Sequence, residues 1–120
     1  MASDPTSIVD EYFARMRARD VTVVDLFHDD ASLLGLGAER TGRAAVLEFY
    51  RGVIDRAGPV PRPAGPLLER GSRVAAEIYI DLPGGSTIHA VDLFVVESGL
   101  IRSLTYFLAS HSLTQQDASG

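Results

Sequence analysis

A chain of 120 residues, 46% hydrophobic and 22% charged, is long enough for one domain with a single core and too apolar to stay disordered. A net charge of -5, with Lys and Arg scattered apart from the short run "RMRAR", argues against nucleic acid as a partner, and the absence of cysteine excludes a disulfide, a zinc–thiolate site and a cysteine nucleophile. His28, His89 and His111 stand too far apart for metal-ligand spacing, no apolar run reaches the roughly 18 residues of a membrane span, and no basic-then-apolar leader opens the chain, so a cytoplasmic protein without metal, cofactor or membrane partner is expected.

The first element is a helix over "DPTSIVDEYFARMRARD", with Asp4 and Pro5 as cap and first-turn residue and Ser7 with Asp10 resembling a capping box. Ile8, Val9, Tyr12, Phe13 and Met16 fall on one stripe opposite the arginines, which makes them core, and the Tyr12 hydroxyl then needs a partner. A short second helix, "VTVVDLF", ends at "HDD", where turn chemistry is expected. "ASLLGLG" reads as a short strand broken by glycines, and "AERTG" closes its hairpin or loop. Thr41 is expected to cap a third helix, "GRAAVLEFYRGVIDRA", with Val46, Phe49, Tyr50 and Val53 on its buried stripe.

The four prolines of "GPVPRPAGP" remove donors and fix the backbone, which predicts a surface connection rather than a helix or an inner strand. Three strands follow: "RVAAEIYIDL", "STIHAVDLFVV" and "LIRSLTYFL", joined by turns at "PGG" and "ESG". Helices first and hairpin-linked strands afterwards imply an α+β fold with a curved antiparallel sheet and the three helices across its concave face. One domain spans 1–120, with its core at about 6–109 and a polar, frayed tail over 110–120.

One residue breaks the pattern. Along the second of these strands Ile88, Ala90, Asp92, Phe94 and Val96 share a face, so Asp92 interrupts an apolar row, while His89 faces the opposite side. An ionised carboxylate buried without a partner costs many kcal/mol, so Asp92 is paired, hydrogen-bonded or protonated. Ile78, Ile80, Ala90, Phe94, Leu104, Tyr106 and Leu108, with Phe49 from the third helix, form apolar walls around few polar anchors, the make-up of a pocket for a flat hydrophobic ligand. The plainer alternative is that these side chains fill the interior. The outward row of Val91, Leu93 and Val95 needs cover, which a second copy supplies most simply, so a homodimer through the outer sheet face is expected.

The order of elements, with "LFHDDASL" entering the first strand, "TGRAAVLEFYRG" opening the third helix and "VDLFVVESGLIRSLTYF" as the closing hairpin, resembles the nuclear transport factor 2-like superfamily, nearest to ketosteroid isomerases and SnoaL-like polyketide cyclases. That resemblance implies a cone-shaped fold, and it carries function only weakly, because the fold hosts enzymes, binding domains and adaptors. In ketosteroid isomerases a helix tyrosine and a neutral strand aspartate donate hydrogen bonds to the enolate oxygen, and Tyr12 and Asp92 match those two positions. The family's general base does not carry over: its place falls on Gly35 or Leu34, and Glu39 in the shortened loop is the nearest substitute. If only the base is missing, Gly35→Asp is expected to restore activity.

One enzyme rival and one non-enzyme remain at this point, and a second enzyme class is disfavoured by its missing residues. An epoxide-hydrolase arrangement needs an arginine two residues before the strand aspartate, where this chain has Ala90, and the last strand offers Arg102, Ser103 and Thr105 but no acid. A polyketide cyclase would use Asp92 as acid and base. A small-molecule-binding or dimeric adaptor domain would use no chemistry at all.

Overall fold

The computed structural model describes residues 4–35, 37–56 and 58–109. The tail expected over 110–120, including His111, lies outside them. Helix α1, Pro5–Arg17, begins where Asp4 accepts a hydrogen bond from the Ser7 amide at 2.9 Å, with Pro5 in the first turn. Asp4 alone forms this cap, and Asp10 takes no part in it. A six-residue 3-10 helix, Val21–Leu26, follows from a second aspartate cap, Asp20, whose carboxylate accepts from the Thr22 amide.

Strand β1, Phe27–Gly35, absorbs the "HDD" expected as a turn. Its pairing is interrupted between Phe27 and Ser32, so Asp29 and Asp30 bulge into solvent, where Arg43 and Arg102 meet them. Strand β2, Ala38–Thr41, pairs back on β1. Thr41 therefore ends a strand and does not cap the helix. Helix α2, Arg43–Arg56, starts at Gly42, whose carbonyl accepts from the Val46 amide at 3.0 Å and whose φ of +97° suits glycine.

The proline-rich segment is half strand. Residues Val60–Pro63 form β3, antiparallel to the strand that follows, with Pro61 opposite Ile80 and Pro63 opposite Ile78. An edge strand tolerates prolines because its outer side needs no donors. Strands β4 (Leu68–Arg70), β5 (Arg73–Asp81), β6 (Thr87–Glu97) and β7 (Leu100–Leu108) complete one seven-stranded sheet in the order β2-β1-β7-β6-β5-β3, with β4 also on β5.

The sheet is mixed rather than wholly antiparallel: β1 runs parallel to β7, and the other pairings are antiparallel. The crossover from β1 through α2 and the β3–β6 meander makes that geometry accessible, since a parallel neighbour needs a long connection. On β5 and β6 burial alternates as expected, with Val74, Ala76 and Ile78, then Ala90, Asp92, Phe94 and Val96, turned inward against the helices. The architecture is an α+β fold whose curved sheet carries its helical layer on one face, the second helix being two turns of 3-10 helix.

Candidate functional site

Three same-face pairs on the β6–β7 ladder lead from the packed interior to an open cavity: Phe94 with Leu104, Asp92 with Tyr106, and Ala90 with Leu108. The first pair is wholly buried, and Phe94 sits edge-on to Tyr12 and Phe13 at centroid distances of 5.1 and 5.7 Å. At the far pair Leu108 is 45% exposed, at the mouth. Between them a cavity of about 230 Å³ opens over Asp92, Tyr106, Ala90 and Leu108. Tyr12, Phe13 and Met16 of α1 and Phe49, Tyr50 and Val53 of α2 form its roof; Pro59, Pro61, Ile78, Ile80, Leu82 and Ile88 complete the walls.

Of the expected lining residues, Phe49, Ile78, Ile80, Ala90, Tyr106 and Leu108 lie on this wall. Phe94 and Leu104 do not. They stand one pair deeper, beneath α1, and act as packing below the cavity floor.

Asp92 is the only carboxylate among the described residues on the cavity wall, and it is 2% exposed. Its strand neighbours are Ala76 on one side and Tyr106 on the other, so no cation stands beside it. Among the described residues its Oδ1 has no hydrogen-bond partner. Burial alone pushes its pKa up to about 8, because the apolar surroundings penalise the charged form and nothing offsets them. At neutral pH Asp92 is therefore mainly a carboxylic acid, able to donate one hydrogen bond into the cavity.

Three tyrosine hydroxyls meet beside it. The Tyr12 hydroxyl lies 2.8 Å from that of Tyr50, Tyr50 and Tyr106 are in hydrogen-bond contact, and Tyr12 and Tyr106 are 3.4 Å apart. Burial, with the neighbouring phenols and, once it has ionised, Asp92, holds Tyr12 and Tyr50 well above the ordinary phenol range, and burial raises Tyr106 as well. All three stay protonated. The two shorter contacts use two of their three protons, and the third is available either to the longer Tyr12–Tyr106 contact or to an oxygen in the cavity.

The family now follows from sequence as well as from shape. Residues 9–104 match the SnoaL-like domain. The chain belongs to that family. No curated protein sequence matches the SnoaL-like chain. Among solved structures, a candidate ketosteroid isomerase from Kribbella flavida superposes with a TM-score of 0.80 at 19% identity, covering 97% of this chain and 83% of that one. A candidate polyketide cyclase from Sinorhizobium meliloti gives 0.76 at 22% identity, over 83% of this chain and 93% of that one. A computationally designed 17-OHP binder gives 0.77 at 17% identity, over 88% and 94%. The SnoaL-like fold is thus of the nuclear transport factor 2-like and ketosteroid isomerase-like type.

Within this SnoaL-like domain none of the three positions named for a base offers one to the cavity. Gly35 is pressed against Tyr106: a Cβ there would lie 2.8 Å from the Tyr106 carbonyl oxygen and 3.0 Å from its Cβ, and φ is +122°. Backbone cannot give way as a flexible side-chain tip can, so a carboxylate at 35 has no room and the Gly35→Asp rescue is withdrawn. Leu34 is half-buried and off the cavity wall, and Glu39 is exposed on β2, also off it. The second carboxylate that an isomerase requires is absent from the described wall.

Tyr50 was legible only as a packing residue. Its signal was the same one that Tyr12 carried: a tyrosine rather than a phenylalanine on a buried helical stripe must place its hydroxyl on a partner.

Proposed function

We propose that the cavity binds a flat hydrophobic carbonyl or phenol compound, whose oxygen accepts hydrogen bonds from the Asp92 carboxylic acid and the terminal hydroxyl of the tyrosine cluster. The observation that carries this reading is the unpartnered, neutral Asp92 on an otherwise apolar wall, opposite Tyr106 in register. Such a pair of donors favours an oxygen that gains negative charge, as a carbonyl does on becoming an enolate. With no second carboxylate on the wall, 3-oxo-Δ5-steroid isomerisation is expected to be slow, by roughly 10²–10⁴-fold relative to an enzyme with a base in place.

A second reading is favoured by the position of the Asp92 pKa. A value of about 8 leaves both protonation states accessible near neutral pH, which suits a single group that takes and returns a proton in a polyketide-type cyclisation. Both readings share one site and differ in whether Asp92 only donates a hydrogen bond or transfers its proton.

The test is titration with 2-naphthol and an equilenin-type phenol as enolate mimics. Each donor to a charged oxygen contributes on the order of 1.5–3 kcal/mol, so Asp92→Ala and Tyr12→Phe should each weaken binding by about tenfold or more. Unchanged binding in both variants rejects the site. Binding of the ionised phenol should also weaken as pH rises through about 8, where Asp92 loses its proton and turns from donor to repelling charge.

A homodimer through the outer sheet face is part of the same proposal. Val91, Leu93 and Val95 are half-buried there, and Phe107, on the same side of β7, is 53% exposed. Sedimentation at micromolar concentration decides it, and a monomer removes the interface.

A further inference from the structure

Phe49 lines the cavity and, at the same time, a second groove of about 320 Å³ bounded by Arg40, Ala45, Glu48, Gly52 and Arg56. The Arg40 guanidinium carbon stands 4.6 Å above the Phe49 ring centroid. Among the described residues neither Arg40 nor Arg56 forms an ion pair, whereas Arg15, Arg43, Arg62 and Arg102 do. Glu48 is the only acid on the groove wall, so the groove is net cationic.

Gly52 shapes this groove. It lies inside α2, one turn from Glu48 on one side and from Arg56 on the other, at a place where glycine costs roughly 1 kcal/mol relative to alanine. A Cβ at 52 would stand 3.1 Å from an Arg56 guanidinium nitrogen, so the missing side chain is what leaves room for that guanidinium over the helix.

We propose that this groove receives an anionic group, a carboxylate or its equivalent, on a ligand whose ring system occupies the cavity. The inference rests on the cavity reading above and narrows it: the ligand is a hydrophobic carbonyl or phenol compound that also carries an acid. A cavity of about 230 Å³ lies below the roughly 300–1,000 Å³ typical of drug-sized sites, which suits a ligand that projects past Phe49. The guanidinium on the Phe49 ring is then positioned for a charge-assisted hydrogen bond to the projecting acid.

Four probes separate the two sites: 2-naphthol, 2-naphthoate, 6-hydroxy-2-naphthoate and the longer 4′-hydroxybiphenyl-4-carboxylate. At low salt the wild-type protein should bind at least one of the two hydroxy acids about tenfold more tightly than 2-naphthol, and the advantage should shrink as salt rises. The ratio of affinities is the readout, so loss of folded protein cancels. Arg40→Gln with Arg56→Gln should bring the ratio to about one. Gly52→Leu should do the same by filling the groove without removing a charge, in a helix that the substitution favours. A ratio near one in the wild type, with 2-naphthol bound, overturns the anionic subsite and leaves the cavity reading standing. A preference that survives both variants overturns it equally. Arginine-dependent binding of 2-naphthoate without any binding of 2-naphthol keeps the groove and removes the cavity reading, while failure of all four probes removes both.

Discussion

Two neighbouring pairs on the β6–β7 ladder, Phe94–Leu104 and Asp92–Tyr106, have the same strands and the same face, and Phe94 and Asp92 are almost equally buried, yet the pairs have opposite energetic characters. Phe94 and Leu104 lose apolar surface to the core and stabilise the fold, with Phe94 held edge-on by Tyr12 and Phe13. Asp92, one pair along, is buried at a cost that its neutral form only reduces, and its Oδ1 has no partner. A polar group left without a partner on a mostly apolar wall costs stability, and the proposed function gives it the role of donor to a bound oxygen. The contrast teaches that on this sheet the floor and the site are separated by a single step of register.

The largest test of that contrast is Phe94→Ala, which should cost about 3–5 kcal/mol, measured by denaturant unfolding, because the vacated volume lies under α1 with no room to collapse. A loss below 1 kcal/mol would place Phe94 on the cavity side of the divide. Asp92→Asn should do the reverse at alkaline pH. The folded-state pKa of about 8 lies above the ordinary 3.8, so between those values the folded chain holds a proton that the unfolded chain has released. Stability therefore falls as pH rises through that window, by up to about 1.4 kcal/mol per unit, and the penalty is complete above about 8. Thermal unfolding at pH 5, 6.5 and 8 should show the wild type losing ground to Asp92→Asn as pH rises. A constant difference between the two proteins would mean that Asp92 is ionised throughout.

Gly35→Asp is expected to destabilise by on the order of 1–3 kcal/mol and to yield no isomerase, since its Cβ meets the Tyr106 backbone and its φ is strained for any L side chain. An active, stable Gly35→Asp protein would show that the β1–β7 contact opens more easily than its geometry suggests. The smallest effect belongs to Tyr50→Phe. Removing the middle hydroxyl breaks the relay between Tyr12 and Tyr106 and should weaken phenol binding by roughly fivefold, about 1 kcal/mol, with little change in packing. Titration with 2-naphthol reads it directly, and an effect as large as that of Asp92→Ala would make Tyr50 itself a ligand donor.

Period and caps in the sequence were enough for α1 and for the inward rows of β5 and β6, because the Asp4 cap, the stripe through Val9, Tyr12 and Phe13, and the alternation around Asp92 are local patterns that tertiary packing did not override. They also placed Asp92 on the buried face, leaving open whether it was paired, hydrogen-bonded or protonated. Tertiary structure alone decided the rest. The hydroxyls of Tyr12, Tyr50 and Tyr106 converge from positions 38, 56 and 94 residues apart, and no spacing rule relates a residue on α1 to one on α2 and one on β7. The parallel pairing of β1 with β7 brought Gly35 against Tyr106 and closed the base position, and β5 recruited Val60–Pro63 as an edge strand despite its prolines. Hydrophobic periodicity reports which side of an element is buried; which other element buries it is set by how the sheet curves and the helices pack, and that is where this site was made.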